Sequence, residues 1–307
     1  MIRFKLIKYI LAAMLLLTSC SNNNTSAKYV IGFSQCNSAE PWRETMNKEL
    51  TEEAKKHKDI DLLIVDAQQN NSKQVADVEN FIAQEVDLII ISPNESRPLT
   101  AVVERAYNAG IPVVVLDRNI SSDSYTSFIG ANNHIIGKAA GAHAAKLLNY
   151  KGTIVEIWGL KGSTPAIDRH NGFVEEISKH KDIKIVYEQD GAWLRRRGME
   201  IMENALQKLE KIDLVYAHND PMAIGAYLAA KNAQREKESY FLGIDGLKGP
   251  EGGIKAVSEG TLSATFLYPT GSKQAIETAV KILKGEKVSK NITLETETIL
   301  PENAKNY

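Results

Sequence analysis

The chain has 307 residues, 43% hydrophobic and 24% charged, enough for one large or two medium folded units. Lys and Arg number 37 against 38 Asp and Glu, so the net charge of −1 excludes the basic footprint of a nucleic-acid binder. Arg3, Lys5 and Lys8 precede a short apolar run over 10–17, too short to be a membrane span and shaped like an export signal. It ends in Leu17-Thr18-Ser19-Cys20, followed by a polar tether over 21–26. That order places Cys20 at the cleavage point and predicts its lipidation; a plain signal peptide with an incidental cysteine, or an uncleaved anchor, are the alternatives. The only other cysteine is Cys36, read as a small buried hydrophobe, so an acylated Cys20 leaves no intrachain disulfide.

Apolar runs of strand length then alternate with helical periodicity. Strands are predicted over 29–33, 62–65, 88–91 and 113–116, with helices over 42–57, 72–84 and 99–109 between and after the first three. The rhythm restarts with a helix over 134–148, whose Gly141 and alanines predict close packing. Strands over 153–158, 183–187, 214–217 and 240–244 follow, interleaved with helices over 166–180, 197–209 and 221–231. Strands apolar at nearly every position and separated by helices predict α/β architecture with parallel sheets covered on both faces. Neither half shows a clear internal repeat.

The unusual residues cluster in loops that follow strands: 34–43 after the first, Asp117-Arg118-Asn119 after the fourth, the approach to Asp168-Arg169 after 158, Asp190 and Trp193 after 187, His218-Asn219-Asp220 after 217 and Asp245-Gly246 after 244. Ligands of open α/β sheets sit outside the carboxyl ends of the strands, so two such sheets facing each other would share one cleft. The bland readings are a surface ion pair for Asp117-Arg118, turn chemistry for Asp245-Gly246, and a helix start for Asn219-Asp220-Pro221, where Asp220 is expected to cap and Asn219 to bind. Arg195-Arg196-Arg197 reads as a solvated charge run, Trp158 as core or cleft wall, and His218 as a cleft-lining group without useful titration.

Those loops carry a family resemblance. Gly32-Phe33-Ser34-Gln35 with Pro41-Trp42-Arg43, Asp66-Ala67-Gln68-Gln69-Asn70, Ser92-Pro93-Asn94, Leu116-Asp117-Arg118, the run 166–173, the run 216–226 and Gly243-Ile244-Asp245-Gly246 follow one another as in the type I periplasmic sugar-binding proteins. The resemblance implies two doubly wound, Rossmann-like lobes joined by a three-crossing hinge. A signal and tether would occupy 1–27, the N-terminal lobe 28–131 plus 269–297, and the C-terminal lobe 132–268 plus 298–307. Within the family the Ser-Gln and Trp-Arg pattern resembles binders of furanose-form sugars, among them galactofuranose binders and a fructose sensor domain of a Bacteroides hybrid two-component receptor.

The resemblance implies a monosaccharide site in the interlobe cleft, without metal or cofactor. Asp117 and Asp245 would accept from hydroxyls, Arg118 and Arg169 would donate through planar forks, and Asn219 would do both. Trp42 and Trp193 would cover the C–H faces of the ring, and Ser34 and Asn94 complete the implied set. Arg43 and Tyr268 depart from the ribose-binder pattern, which carries a phenylalanine and a glutamine there, and argue for another sugar. The partners implied are an ABC permease or a sensor kinase, with membrane contact only through the lipid at Cys20. A glycoside-processing enzyme using Asp117 and Asp245 is the rival reading. Surrounding Arg and Asn residues are expected to keep both carboxylates ionised, which suits binding better than proton donation, and no zinc, phosphate-loop or nucleophile-elbow motif is present. A DNA-binding repressor of this fold would need a helix-turn-helix where the export signal stands.

Overall fold

In β3 (Leu88–Ile91) and β4 (Val113–Leu116) every side chain is apolar and buried. Their alternate residues feed two different cores: Leu88, Ile90, Val114 and Leu116 point to one cluster, Ile89, Ile91, Val113 and Val115 to another. A strand buried on both faces in this way belongs to the interior of a parallel sheet. The computed structural model describes residues 29–307, so the signal and tether of 1–27, with Cys20, lie outside the described residues.

The first sheet is parallel throughout, with spatial order β11-β5-β4-β3-β1-β2. Its strands are β1 (Tyr29–Gln35), β2 (Ile60–Asp66), β3, β4, β5 (Ser127–Ala131) and β11 (Asn291–Leu294). Helices α1 (Pro41–Ala54), α2 (Asn71–Ala83) and α3 (Ser96–Asn108) connect the first four strands, and α9 (Ser272–Leu283) packs on α1. The second sheet has order β7-β6-β8-β9, again parallel, from β6 (Gly152–Trp158), β7 (Ile183–Asp190), β8 (Leu214–Ala217) and β9 (Tyr240–Leu242). Helices α4 (Asn133–Leu147), α5 (Thr164–Ile177), α6 (Arg195–Lys208), α7 (Asp220–Asn232) and α8 (Gly253–Ser258) cover it. A short antiparallel pair, β10 (Thr265–Phe266) with β12 (Thr298–Ile299), completes this lobe. The chain passes between the lobes three times, after β5, after β10 and after β11.

Several elements differ from the expectation. The strand predicted over 240–244 ends at Leu242, and β5, β10, β11 and β12 carry no strong apolar run. Close packing of 134–148 does occur, and it is tight: α4 and α5 approach so nearly that a Cβ on Gly137 would lie 2.2 Å from the Arg169 carbonyl oxygen, and one on Gly172 would lie 2.1 Å from that of His134. These two glycines set the spacing that brings Arg169 beside the start of α4. Among the described residues no helix is long and apolar enough to cross a membrane.

Candidate ligand-binding cleft

In each sheet the strand order reverses beside its first strand, between β1 and β3 and between β6 and β8, and the loops at the carboxyl ends open a crevice there. The two crevices face each other. Between them lies a chamber lined from the first lobe by Glu40, Trp42, Arg43, Asp117 and Arg118, from the second by Pro165, Arg169, Trp193, Asn219 and Asp245, and at the second crossing by Tyr268. All eleven of these side chains are buried, Pro165 included; the lobes are closed over them. Direct contacts hold the lobes together at the rim: Ser96 N donates to Gly162 O at 3.1 Å, Asn119 N to Thr164 Oγ1 at 2.9 Å, and Gln69 Nε2 to Ala192 O at 3.2 Å.

The first-lobe wall is an ion-pair network. Arg43 Nη2 donates to Asp117 Oδ2 at 2.6 Å and Arg43 Nη1 to Ser92 Oγ at 2.9 Å, while Tyr268 OH donates to Asp117 Oδ1 at 2.7 Å. Arg118 Nη1 donates to the backbone oxygen of Asn94 at 2.9 Å. Asp117 is buried, yet Arg43 and Arg118 beside it hold its carboxyl below the usual range, and the same pairing holds the Arg43 guanidinium firmly charged despite its burial. The opposite wall has fewer partners. Arg169 Nε donates to Asn133 Oδ1 at 2.8 Å, and its Nη1 donates to the backbone oxygen of His218. The Arg169 guanidinium lies over the Tyr268 ring at 4.6 Å and the Trp193 ring at 5.4 Å. Asp245 Oδ2, Trp193 Nε1, Arg43 Nε and Arg118 Nε are buried and make no hydrogen bond among the described residues. The four residues that carry these atoms all line the chamber.

Three of the lining residues have an unusual backbone. Asp117 (φ 67°), Trp193 (φ 69°) and Asp245 (φ 140°) all have positive φ, which non-glycine residues hold only when their surroundings impose it. Trp193 lies against Gly159, where a Cβ would stand 2.2 Å from the indole. Trp42 is fixed from the other side, its Nε1 donating to Tyr268 O at 2.9 Å.

Nine of the eleven expected residues line the chamber. Ser34 and Asn94 stand behind the wall instead. Asn94 spends its amide on Gln69 O and Asn71 Oδ1 and uses its backbone oxygen to hold Arg118; Ser34, in β1, is fully buried. The capping assignment at α7 is reversed: Asn219 Oδ1 accepts from Met222 N at 3.0 Å while its Nδ2 donates to Trp193 O, and Asp220 instead accepts from Gly246 N and Thr265 Oγ1. The shared ionised state expected for the two cleft carboxylates holds for Asp117 only. Asp245 is pushed well up by burial and by the neighbouring Asp220 carboxyl, itself raised by burial. Glu40 and Pro165 escaped the sequence reading. Glu40 sits just before the Pro41-Trp42-Arg43 signature, and its carboxyl, raised by burial, accepts from Asn37 Nδ2 at 2.8 Å.

Arg195, Arg196 and Arg197 pair on the surface with Glu251 and Glu200. Trp158 is buried outside the chamber, stacked on His170 at 3.9 Å. One group of described residues has metal-ligand composition, Glu156, His170 and Glu188, with ligand atoms within 4.8 Å. It satisfies itself: Glu156 is bonded to His170 Nδ1 and His218 Nε2, and Glu188 accepts from Trp158 Nε1.

The family model described as the periplasmic binding protein domain matches residues 31–287. The chain belongs to that family. It is 34% identical to the ribose import binding protein of Bacillus subtilis over 92% of this chain and 93% of that protein. It is 35% identical to the galactofuranose-binding protein of Escherichia coli over 91% and 90%. Among solved structures it resembles the fructose-binding periplasmic domain of a hybrid two-component system, with TM-score 0.88 and 45% identity over 91% of this chain and 92% of that one. Members of this periplasmic family are solute-binding proteins, and the cleft between this member's lobes is built as a binding chamber.

The aromatic wall gives a direct test. Trp193→Ala is expected to weaken ligand binding about ten- to a hundredfold, the worth of a buried apolar face of roughly 1.5–3 kcal/mol. Trp193→Phe should recover most of it, because a flat apolar face is what is lost. Calorimetric titration of the three proteins decides; a Trp193→Ala variant that binds like wild type removes the ring-stacking role.

Proposed function

We propose that this protein binds one neutral monosaccharide in furanose form, fructose being the first to test, and closes its two lobes around it. The observation that carries this reading is the balance of the chamber: three cationic forks, Arg43, Arg118 and Arg169, face three carboxyl groups, Glu40, Asp117 and Asp245, under two indoles. Guanidinium donors set beside carboxyl acceptors suit an uncharged molecule with many hydroxyls, each of which gives and takes a hydrogen bond. The relatives named for ribose, galactofuranose and fructose agree with that class. Ligand contacts from both lobes favour the closed form, so closure is the signal passed to a permease or a sensor kinase.

Catalysis by the carboxylate pair is the weaker reading. Asp245 has the raised pKa of a proton donor, but both oxygens of Asp117 are engaged, Oδ1 by Tyr268 and Oδ2 by Arg43, which leaves no free base or nucleophile. The protein is proposed to sit in the periplasm, held to the membrane by a lipid on Cys20. Fatty-acid labelling of the wild type but not of Cys20→Ser supports the anchor; equal labelling removes it.

A thermal-shift screen tests the main proposal. A sugar at 100 times its Kd adds about 2.7 kcal/mol of stability. Fructose, arabinose, ribose and galactose are the probes, with fructose 6-phosphate and galacturonate as charged controls. A shift with a neutral sugar and none with the charged controls supports the reading; stabilisation by the charged controls alone sinks it.

A further inference from the structure

We propose that Asn133 is a positioning residue for the cleft: it fixes Arg169 in the second lobe and, through the Tyr268 hydroxyl, the Asp117 carboxylate in the first. The inference rests on the sugar-binding reading. Asn133 opens α4 directly after the first crossing, is buried, and does not line the chamber. Its Oδ1 accepts from Arg169 Nε at 2.8 Å and its Nδ2 donates to Tyr268 OH at 3.3 Å. Tyr268 follows the second crossing and donates in turn to Asp117 Oδ1 at 2.7 Å, and Asp117 Oδ2 receives Arg43. One buried chain of hydrogen bonds thus runs from Arg169 through residues at two hinge crossings to Arg43.

The direction of each bond gives Asn133 its role. A phenol has one proton. Because the amide of Asn133 donates to the Tyr268 oxygen, that proton is free to go to Asp117. A carboxylate at position 133 would still accept from Arg169 Nε but would take the Tyr268 proton for itself, leaving Asp117 Oδ1 without its donor. Alanine would break both links. The close approach of α4 and α5 at Gly137 and Gly172 is what puts the amide within reach of Arg169.

Two readouts separate this role from plain structural support. In ligand-free protein, the Arg169 Nε–H resonance, assigned with Arg169→Lys, should exchange slowly with solvent in wild type and in Asn133→Asp, and fast in Asn133→Ala. Sugar titrations should show Asn133→Asp weakened about tenfold or more, and Asn133→Asp/Tyr268→Phe no weaker than Tyr268→Phe alone, since both break one link. Wild-type affinity in Asn133→Asp, multiplied losses in the double variant, or slow exchange persisting in Asn133→Ala would each overturn the proposal. Failure of wild type to bind any of the sugars removes the sugar reading, while the exchange experiment still decides whether Asn133 holds Arg169.

Discussion

Arg169→Ala is expected to lower sugar affinity by about thirtyfold to a few thousandfold, the consequence of removing one member of a buried charged hydrogen-bond set at about 2–5 kcal/mol. Arg169 is buried, its Nε and Nη1 are taken by Asn133 and the His218 carbonyl, and Nη2 makes no hydrogen bond among the described residues. The fork is therefore locked along one edge while its other nitrogen remains available to the chamber. The rings of Trp193 and Tyr268 restrict it further. Truncation would take away the donor and also strand Asn133 Oδ1 and the His218 oxygen, two costs that add. Arg169→Lys should recover little, because a point charge cannot make the same set of bonds. Arg196→Ala is the control: that side chain is 81% exposed and pairs only with Glu200 on the surface, so affinity should stay within about twofold. Titration calorimetry with the sugar found by the screen measures all three. Wild-type affinity in Arg169→Ala would remove the second lobe's fork from the site.

Asp245→Ala should act in opposite directions on binding and on closure. With sugar present, the variant loses an acceptor whose Oδ2 is otherwise unpaired, and affinity should again fall by about thirtyfold or more. Without sugar, the variant should close more readily, because burying this carboxyl beside Asp220 is unfavourable while it is charged. The pH dependence follows with a definite sign. Closure raises the Asp245 pKa above its open or unfolded value, so the closed empty form is favoured at low pH, where the group is protonated in both forms. That advantage is lost as pH rises through the raised value. Small-angle scattering of sugar-free protein should show a smaller radius of gyration near pH 5 than near pH 8. Asp245→Asn, which cannot ionise, should show a smaller change, the remainder belonging to Glu40 and Asp220, whose carboxyls burial also raises. A radius independent of pH in wild type would mean that Asp245 does not limit closure.

The fold was legible in the sequence wherever burial is two-sided. Runs such as 88–91 and 113–116 are apolar at each position because both faces of the parallel sheet are covered. β5 and β11 escaped notice because β11 is an edge strand, largely exposed, and β5 carries Ser127 and Gly130 in five residues. Trp42, Arg43, Asp117, Arg118, Arg169, Trp193, Asn219 and Asp245 could be singled out because each follows a strand, and Tyr268 through the family likeness. What a side chain does there depends on neighbours far along the chain. Asn94 and Arg118 are both polar residues after strands, but only the folded register shows that one holds the other. Asp117 and Asp245 read alike in sequence; two guanidinium groups beside one and a second carboxyl beside the other drive their pKa values apart. Asn133 reads as an ordinary helix start, and its two links span 36 and 135 residues. Local pattern and strand position were set by the sequence alone, because burial and periodicity act on neighbours. Partner identity, protonation and the path across the hinge were decided by tertiary structure, because electrostatics and hydrogen bonding act at distances of a few ångströms, whatever the separation in sequence.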